Sequence, residues 1–229
     1  MKRARRHAME CIEIPRGILL MGDNRLRDAA PQHKLELPAF AIGKYPVTNA
    51  EYAEFIAARG YANEKFWTAL GWKWQQGRLS QAALPAFWAE PRLNQARYPV
   101  VGVSWYEAVA FCNWLSERGR ANTAEAGFGG TTPVAHFPSG VSPFGVWDMA
   151  GNVFEWTLSK WGGNWQTLQF TYPYRAADGR EELEGGGARV MRGGAWFNPY
   201  QEALCAYRSR YLAGSRGSNI GFRVARVLA

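Results

Sequence analysis

Cysteine and histidine are scarce in this 229-residue chain, three of each, and their placement excludes more chemistry than their number does. Cys11, Cys112 and Cys205 lie far apart, and no Cys-x-x-Cys or Cys/His pair has metal-ligand spacing. At most one disulfide could form, leaving an odd thiol. Buried free cysteines are therefore expected, which fits a reducing compartment and a cytoplasmic location. His7, His33 and His136 show no ligand spacing either. No apolar run approaches the roughly 20 residues that a membrane helix needs. The basic start, with Lys2, Arg3, Arg5 and Arg6, lacks the apolar stretch of a secretory signal. Lysine is scarce towards the C-terminus and no nucleic-acid reader motif occurs, so nucleic acid is not expected as a partner despite a formal net charge of +8. Residues 185–229 carry seven Arg against one Glu. Arginine in such text is read as a stacking and hydrogen-bonding residue of interfaces and cores.

Aromatic residues are what the chain has in quantity: 14% of the sequence, with 11 Trp. Buried Trp needs a partner for its N–H, so this many suggests a loop-rich core with backbone carbonyls close by. Two helices are clearly signed. Thr48 with Glu51 three residues on makes a capping box, Tyr52, Phe55 and Ile56 share a face with Arg59, and Gly60 is expected to close the helix. Ser104 with Glu107 repeats the pattern, Ala108, Phe111, Cys112 and Leu115 form the apolar stripe, and Gly119 ends it. Cys112 then points into the core, not to a reactive site. Residues 11–21 read as one or two strands broken at Pro15-Arg16-Gly17, and 34–45 as a strand with Pro38 at an edge or bulge. Residues 61–98 read as a long aromatic loop. From Ala121 on, Gly, Pro and Thr clusters alternate with short strands. The fold class expected is α+β, with two main helices and little other regular structure. Residues 1–10 read as a basic tail and 11–229 as a single domain.

Several ordered stretches, taken together, resemble the formylglycine-generating-enzyme type, or sulfatase-modifying-factor, domain. They are Met21-Gly22, Pro31-Gln32-His33, Tyr45 to Tyr52 (YPVTNAEY), Pro99 to Ala108 (PVVGVSWYEA), Gly130 to Val134 (GTTPV), Asp148 to Trp156 (DMAGNVFEW), Arg192 to Trp196 (RGGAW) and Gly221-Phe222-Arg223. They span nearly the whole chain after residue 10. The resemblance implies a C-type-lectin-like fold. It departs in one place: Arg118-Gly119-Arg120 runs straight into Ala121-Asn122-Thr123, where the family carries a further helical segment.

The resemblance also bears on metals. Catalytic members hold copper with two C-terminal Cys, soft donors suited to Cu(I). Here only Cys205 stands in that stretch. Sulfoxide-synthase relatives use three His on a separate domain, and this chain lacks such a set. Neither copper nor iron is expected, and His33 is read as structural. Calcium is the better candidate: by motif match it would be bound by the Asp148 side chain, the Gly151 and Val153 carbonyls and the Glu155 carboxylate, oxygen donors of the kind Ca²⁺ prefers. The alternative is that Asp148 and Glu155 cap the loop by accepting backbone N–H bonds. A second family site would involve Asn122, Thr123 and Phe128, with Ala126 where an acid is needed.

Some members of this fold are variable proteins of diversity-generating retroelements, in which adenine-specific mutagenesis rewrites Asn codons near the C-terminus. Such codons cannot become Lys, Gln, Glu, Met or Trp. Between Phe197 and Asn219 only Gln201 and Glu202 fall in that excluded set. Tyr, Phe and Arg carry binding hot spots, while Ser, Gly and Asn supply adaptable hydrogen bonds. Residues 192–223 are therefore read as a face that binds a protein ligand. Its candidate residues are Phe197, Asn198, Pro199, Tyr200, Tyr207, Ser209, Tyr211, Leu212, Ser215 and Ser218. Phe197, Pro199, Tyr200, Tyr211 and Leu212 are expected to be exposed, and Arg208 and Arg223 to belong to the core. The competing function is a metal-dependent oxidase of the formylglycine-generating or sulfoxide-synthase type.

Overall fold

A computed structural model describes residues 9–78, 84–118, 131–136, 138–198, 202 and 204–228. Strands β1 (Cys11–Ile14), β2 (Gly17–Met21), β3 (His33–Leu37) and β4 (Phe40–Gly43) come first. Pro15-Arg16 separates β1 from β2 as expected. Pro38-Ala39 does more than bulge a strand: it hands the chain from one sheet to another, because β3 pairs with β2 while β4 pairs with β1 and with β9 (Ala225–Val227). A four-stranded sheet, in the order β7 (Ser209–Leu212), β6 (Ala188–Arg192), β5 (Phe154–Gly162), β8 (Ile220–Phe222), forms the other half. Its β5–β8 pairing is parallel and the rest antiparallel. This leaves β7 at an edge.

Both capping boxes form. Thr48 N–H donates to Glu51 at 2.8 Å and its hydroxyl accepts from Glu51 N–H at 3.3 Å, opening α1 (Asn49–Ala57). Ser104 N–H donates to Glu107 at 2.7 Å and its hydroxyl accepts from Glu107 N–H at 3.2 Å, opening α3 (Trp105–Arg118). The end of α1 differs from expectation. Arg59, not Gly60, takes the left-handed conformation, at φ 57°. Gly60 is needed for space, because a side chain there would enter the Phe55 ring. The aromatic loop also contains a third helix, α2 (Ala69–Gln76), started by Thr68, whose hydroxyl accepts from Gly71 N–H at 3.1 Å. Without an acid at the third position, Thr68 gave only half of a start signal.

The core lies between α1, α3 and the four-stranded sheet. Tyr52 stacks on Phe111 with ring centroids 5.3 Å apart and meets Phe222 edge-on at 6.3 Å. Each such pair contributes about 0.5–1.5 kcal/mol beyond the area it buries. Indole N–H groups do reach carbonyls: Trp67 to Gly60, Trp105 to Thr157 and Trp156 to Val103, all at 3.0–3.1 Å. Arginine plays the same part. Arg189, fully buried, lies over the Trp105 ring at 3.7 Å and donates to the carbonyls of Leu158 and Glu182. Arg208 is buried and donates to the carbonyls of Asp28 and Phe170. Burial lowers both guanidinium pKa values to about 10. An irregular chain leaves carbonyls unpaired in the interior, and a five-donor fork satisfies several at once. No helix of the described residues is long and apolar enough to cross a membrane.

Candidate functional site

Sheet pairing and a buried ion pair position the C-terminal face. Edge strand β7 pairs through Met191↔Ser209, Val190↔Arg210, Arg189↔Tyr211 and Ala188↔Leu212. Immediately after it the chain is pinned to the core. Ala213 N–H donates to Gly187 O, Ala213 O accepts from Trp105 N–H at the start of α3, and Gly214 lies so close to Trp74 that a side chain would strike the indole. Arg216 donates to Gly102 O at 2.8 Å and to the fully buried Glu107 carboxylate at 3.1 Å. Glu107 also accepts from Tyr61 at 2.6 Å and from Arg78 at 3.3 Å. Tyr211 and Leu212 therefore stand out from a rigid support, 52% and 46% exposed.

Around them is a concavity of about 390 Å³, lined by Trp165, Ser209, Arg210, Tyr211, Leu212 and Ser215. Four of the sequence-derived residues, Ser209, Tyr211, Leu212 and Ser215, thus share one site. Trp165 and Arg210 complete it, and neither was among the candidates. Trp165 is 52% exposed and is carried by a turn in which the Asn164 side chain accepts from Gln166 and Thr167 N–H, each at 2.9 Å. The available signal was an aromatic residue set in Gly-Gly-Asn turn text, a poor place to bury a ring.

The remaining candidates fall elsewhere. Phe197 is exposed and meets Trp196 edge-on, while Asn198 donates to Glu202 at 2.8 Å; neither lines the concavity. Tyr207 is half-buried against the core, and Ser218 is half-buried outside the concavity. Pro199 and Tyr200 lie outside the described residues, as do Asn122, Thr123, Ala126 and Phe128 of the second calcium motif. Arg208 and Arg223 are core residues, as expected.

In the loop of the first calcium motif, Asp148 (φ 60°) is buried and accepts from Ala135 N–H at 3.1 Å, the loop-capping role weighed above. Burial raises its carboxyl pKa to about 6. Gly151 N–H donates to Gly193 O, and Val153 is buried. Both Glu155 oxygens accept from Arg223, at 2.8–3.1 Å, and the same guanidinium donates to the carbonyls of Gly43, Trp147 and Asp148. The cation facing Glu155 in this arrangement is Arg223. Among the cysteines, burial raises the Cys112 thiol pKa to about 12, an inert environment, while Cys205 is exposed. No group of three or more His, Cys, Asp or Glu among the described residues could hold a metal ion.

Short mixed sheets, two capped helices and a C-terminal face built on an edge strand define an α+β domain of C-type-lectin-like type. Solved structures share this fold: PvdO from Pseudomonas aeruginosa (TM-score 0.69, 23% identity, covering 95% of this chain and 94% of that one) and Treponema denticola variable protein 1 (TM-score 0.57, 18% identity, 95% of each). The chain belongs to the family of sulfatase-modifying factor enzyme 1-like domains, whose model matches residues 1–123 and 118–228. The two matches overlap at residues 118–123. Related sequences include the serine/threonine-protein kinase pkn1 of Chlamydia caviae, 29% identical over 243 residues (95% of this chain, 38% of the relative). The formylglycine-generating enzyme of Mus musculus is 27% identical over 284 residues (93% and 74%). The chain spans under two fifths of the kinase's length.

Proposed function

We propose that this domain is a non-catalytic ligand-binding module that holds a protein through its C-terminal face. The observation that carries this reading is the concavity of Trp165, Arg210, Tyr211 and Leu212, with Ser209 and Ser215 on its wall. Large aromatic and Arg groups with hydroxyls beside them, on a support held from within, have the composition of a paratope. The structurally similar Treponema protein is named a variable protein, and the text of residues 197–219 permits diversification by a retroelement. A cytoplasmic location is part of the same proposal, because Cys11, Cys112 and Cys205 lie too far apart in sequence to suggest a disulfide framework. Calcium is a separate proposal: an ion held by Asp148, the Gly151 and Val153 carbonyls and Glu155 would have to share or replace the Arg223 contact.

The test is quantitative capture of partners by the wild-type protein and by a Trp165→Ala/Tyr211→Ala/Leu212→Ala variant, both shown folded by circular dichroism. Loss of a hot-spot aromatic costs on the order of 2 kcal/mol, about 30-fold in affinity. A specific partner retained by the variant at undiminished affinity refutes this face. A reverse transcriptase gene beside an imperfect repeat of the 3′ coding end would establish diversification. Stoichiometric copper or iron with oxygen consumption would establish the oxidase instead.

A further inference from the structure

A second cavity of about 510 Å³ adjoins the face and shares Arg210 with it. Trp161 lines it and is 1% exposed, yet its indole N–H has no hydrogen-bond partner among the described residues. A buried donor left unpaired costs about 1–3 kcal/mol, which the indoles of Trp67, Trp105 and Trp156 avoid. Two guanidinium groups, of Arg208 and Arg210, lie 5.3 and 4.6 Å from the Trp161 ring centroid. Among the described residues Arg208 donates only to carbonyls, those of Asp28 and Phe170, and forms no ion pair with a carboxylate. Arg210 donates through Nε to Trp165 O at 3.0 Å, and its terminal nitrogens bond no described residue. Arg27, exposed on the rim, has no bonded partner among the described residues. Asp28 is the carboxylate on the wall and opposes an anion, but the two guanidinium groups of Arg27 and Arg210 on the same wall outweigh it.

We propose that this cavity binds an oxyanion, a carboxylate or a phosphate group, between Arg27 and Arg210, beside the buried Trp161 indole. Guanidinium forks match both groups. Resting on the binding-module reading, the ligand of the C-terminal face then presents an acidic group next to the apolar group that meets Trp165, Tyr211 and Leu212, with Arg210 touching both.

The experiment uses the whole chain, ¹⁵N-labelled at tryptophan, titrated separately with acetate and with inorganic phosphate at ionic strength held constant with chloride. The Trp161 indole resonance is assigned by its loss in Trp161→Phe. It is expected to shift saturably with at least one anion, and Arg210→Gln or Arg27→Gln should weaken that binding by about tenfold or more, the loss of one charge-assisted hydrogen bond. Saturation by acetate identifies an acidic side chain or terminus as the group bound, and saturation by phosphate a phosphorylated one. No saturable shift with either, or a shift unaffected by the arginine replacements, overturns the proposal. Arg27 is exposed and outside the Tyr211 concavity, so Arg27→Gln carries the test if Arg210→Gln disturbs the Trp165 turn. A protein that captures its partner through Tyr211 and Leu212 but binds neither anion keeps the module and loses this site. Anion binding in a chain indifferent to Tyr211 does the reverse.

Discussion

Replacing Glu107 by glutamine tests the claim that the face is held from inside the core. The Glu107 side chain is fully buried. One oxygen accepts from Ser104 N–H at 2.7 Å; the other accepts from Tyr61, Arg78 and Arg216 at 2.6, 3.3 and 3.1 Å. Burial, reinforced by the Glu107 charge, pushes the Tyr61 hydroxyl well above its ordinary pKa, so it stays a donor. Glutamine keeps the shape but turns one oxygen into an N–H₂ group. Whichever way the amide points, that group meets a donor, and two guanidinium groups lose their counter-charge. Breaking a buried pair by removing one partner costs about 3–5 kcal/mol. Both arginine side chains are only 18% exposed, so water recovers little of this. Urea denaturation of Glu107→Gln should show an unfolding free energy lowered by that amount, seen as a lower midpoint at an unchanged slope. Arg216→Gln alone should cost less, and a double-mutant cycle with Glu107→Gln should give a coupling of at least about 1 kcal/mol. A change below about 1 kcal/mol in Glu107→Gln would refute the reasoning: the carboxylate would then be an incidental occupant of a polar cavity, and the C-terminal segment would be held by something else.

Three further outcomes follow from the structure. Burial raises the Asp148 carboxyl from 3.8 to about 6 and the Glu51 carboxyl from 4.5 to about 7. The folded chain then keeps protons that the unfolded chain has released, so stability should fall as pH rises from about 4.5 to 7, and Asp148→Asn should flatten part of that slope. The lowered carboxylates, Asp23, Asp178 and Glu182, act below this window, and a wild-type stability that rises across it contradicts the assignment. Calcium bound at Asp148 would hold it ionised, so calcium should raise the melting temperature more at pH 7 than at pH 5; equal curves with calcium and with chelator at both values remove the ion from this loop. Gly60→Ala forces a methyl group into the Phe55 ring and should cost about 1–3 kcal/mol by thermal denaturation.

Much of this was legible in the residues because the deciding physics is local. The Thr48/Glu51 and Ser104/Glu107 pairs each close a capping box within one turn, so three residues of sequence predict the bond. The family motifs were legible as ordered text. What escaped depends on distant partners. Helix α2 begins on Thr68 alone, and its aromatic residues meet partners outside the helix, Trp74 at Tyr106 of α3 and the Gly214 turn and Trp72 at Trp67. Nothing local shows that Pro38 moves the chain between sheets. In the face, Tyr211 and Leu212 were legible because such residues are uncommon among polar text, but Trp165 arrives from the β5–β6 connection, 46 residues before Tyr211, and no period or spacing links the two. The Arg223 contact with Glu155 crosses 68 positions and decides which cation faces that carboxylate.

The separation between support and display makes a last prediction. Along residues 208–213 the roles divide sharply: Arg208 and Ala213 are 4% and 2% exposed and bonded to the core, whereas Tyr211 and Leu212 are about half exposed at the edge of the sheet. Side chains that face water and fill no cavity contribute little to folding, so surface changes typically stay within about 0.5 kcal/mol. Tyr211→Ala, Leu212→Ala and Tyr211→Asp should all melt within a few degrees of the parent while altering partner capture. Arg208→Ala should lose at least about 2 kcal/mol, because the carbonyls of Asp28 and Phe170 are left unpaired and the space over Tyr172 empties. If the two exposed positions prove as costly as Arg208, they are structural and their exposure is no sign of a display surface. If they are neutral for folding and decisive for capture, the sheet edge is free to carry different side chains on one unchanging core, which is what a diversified binding module requires.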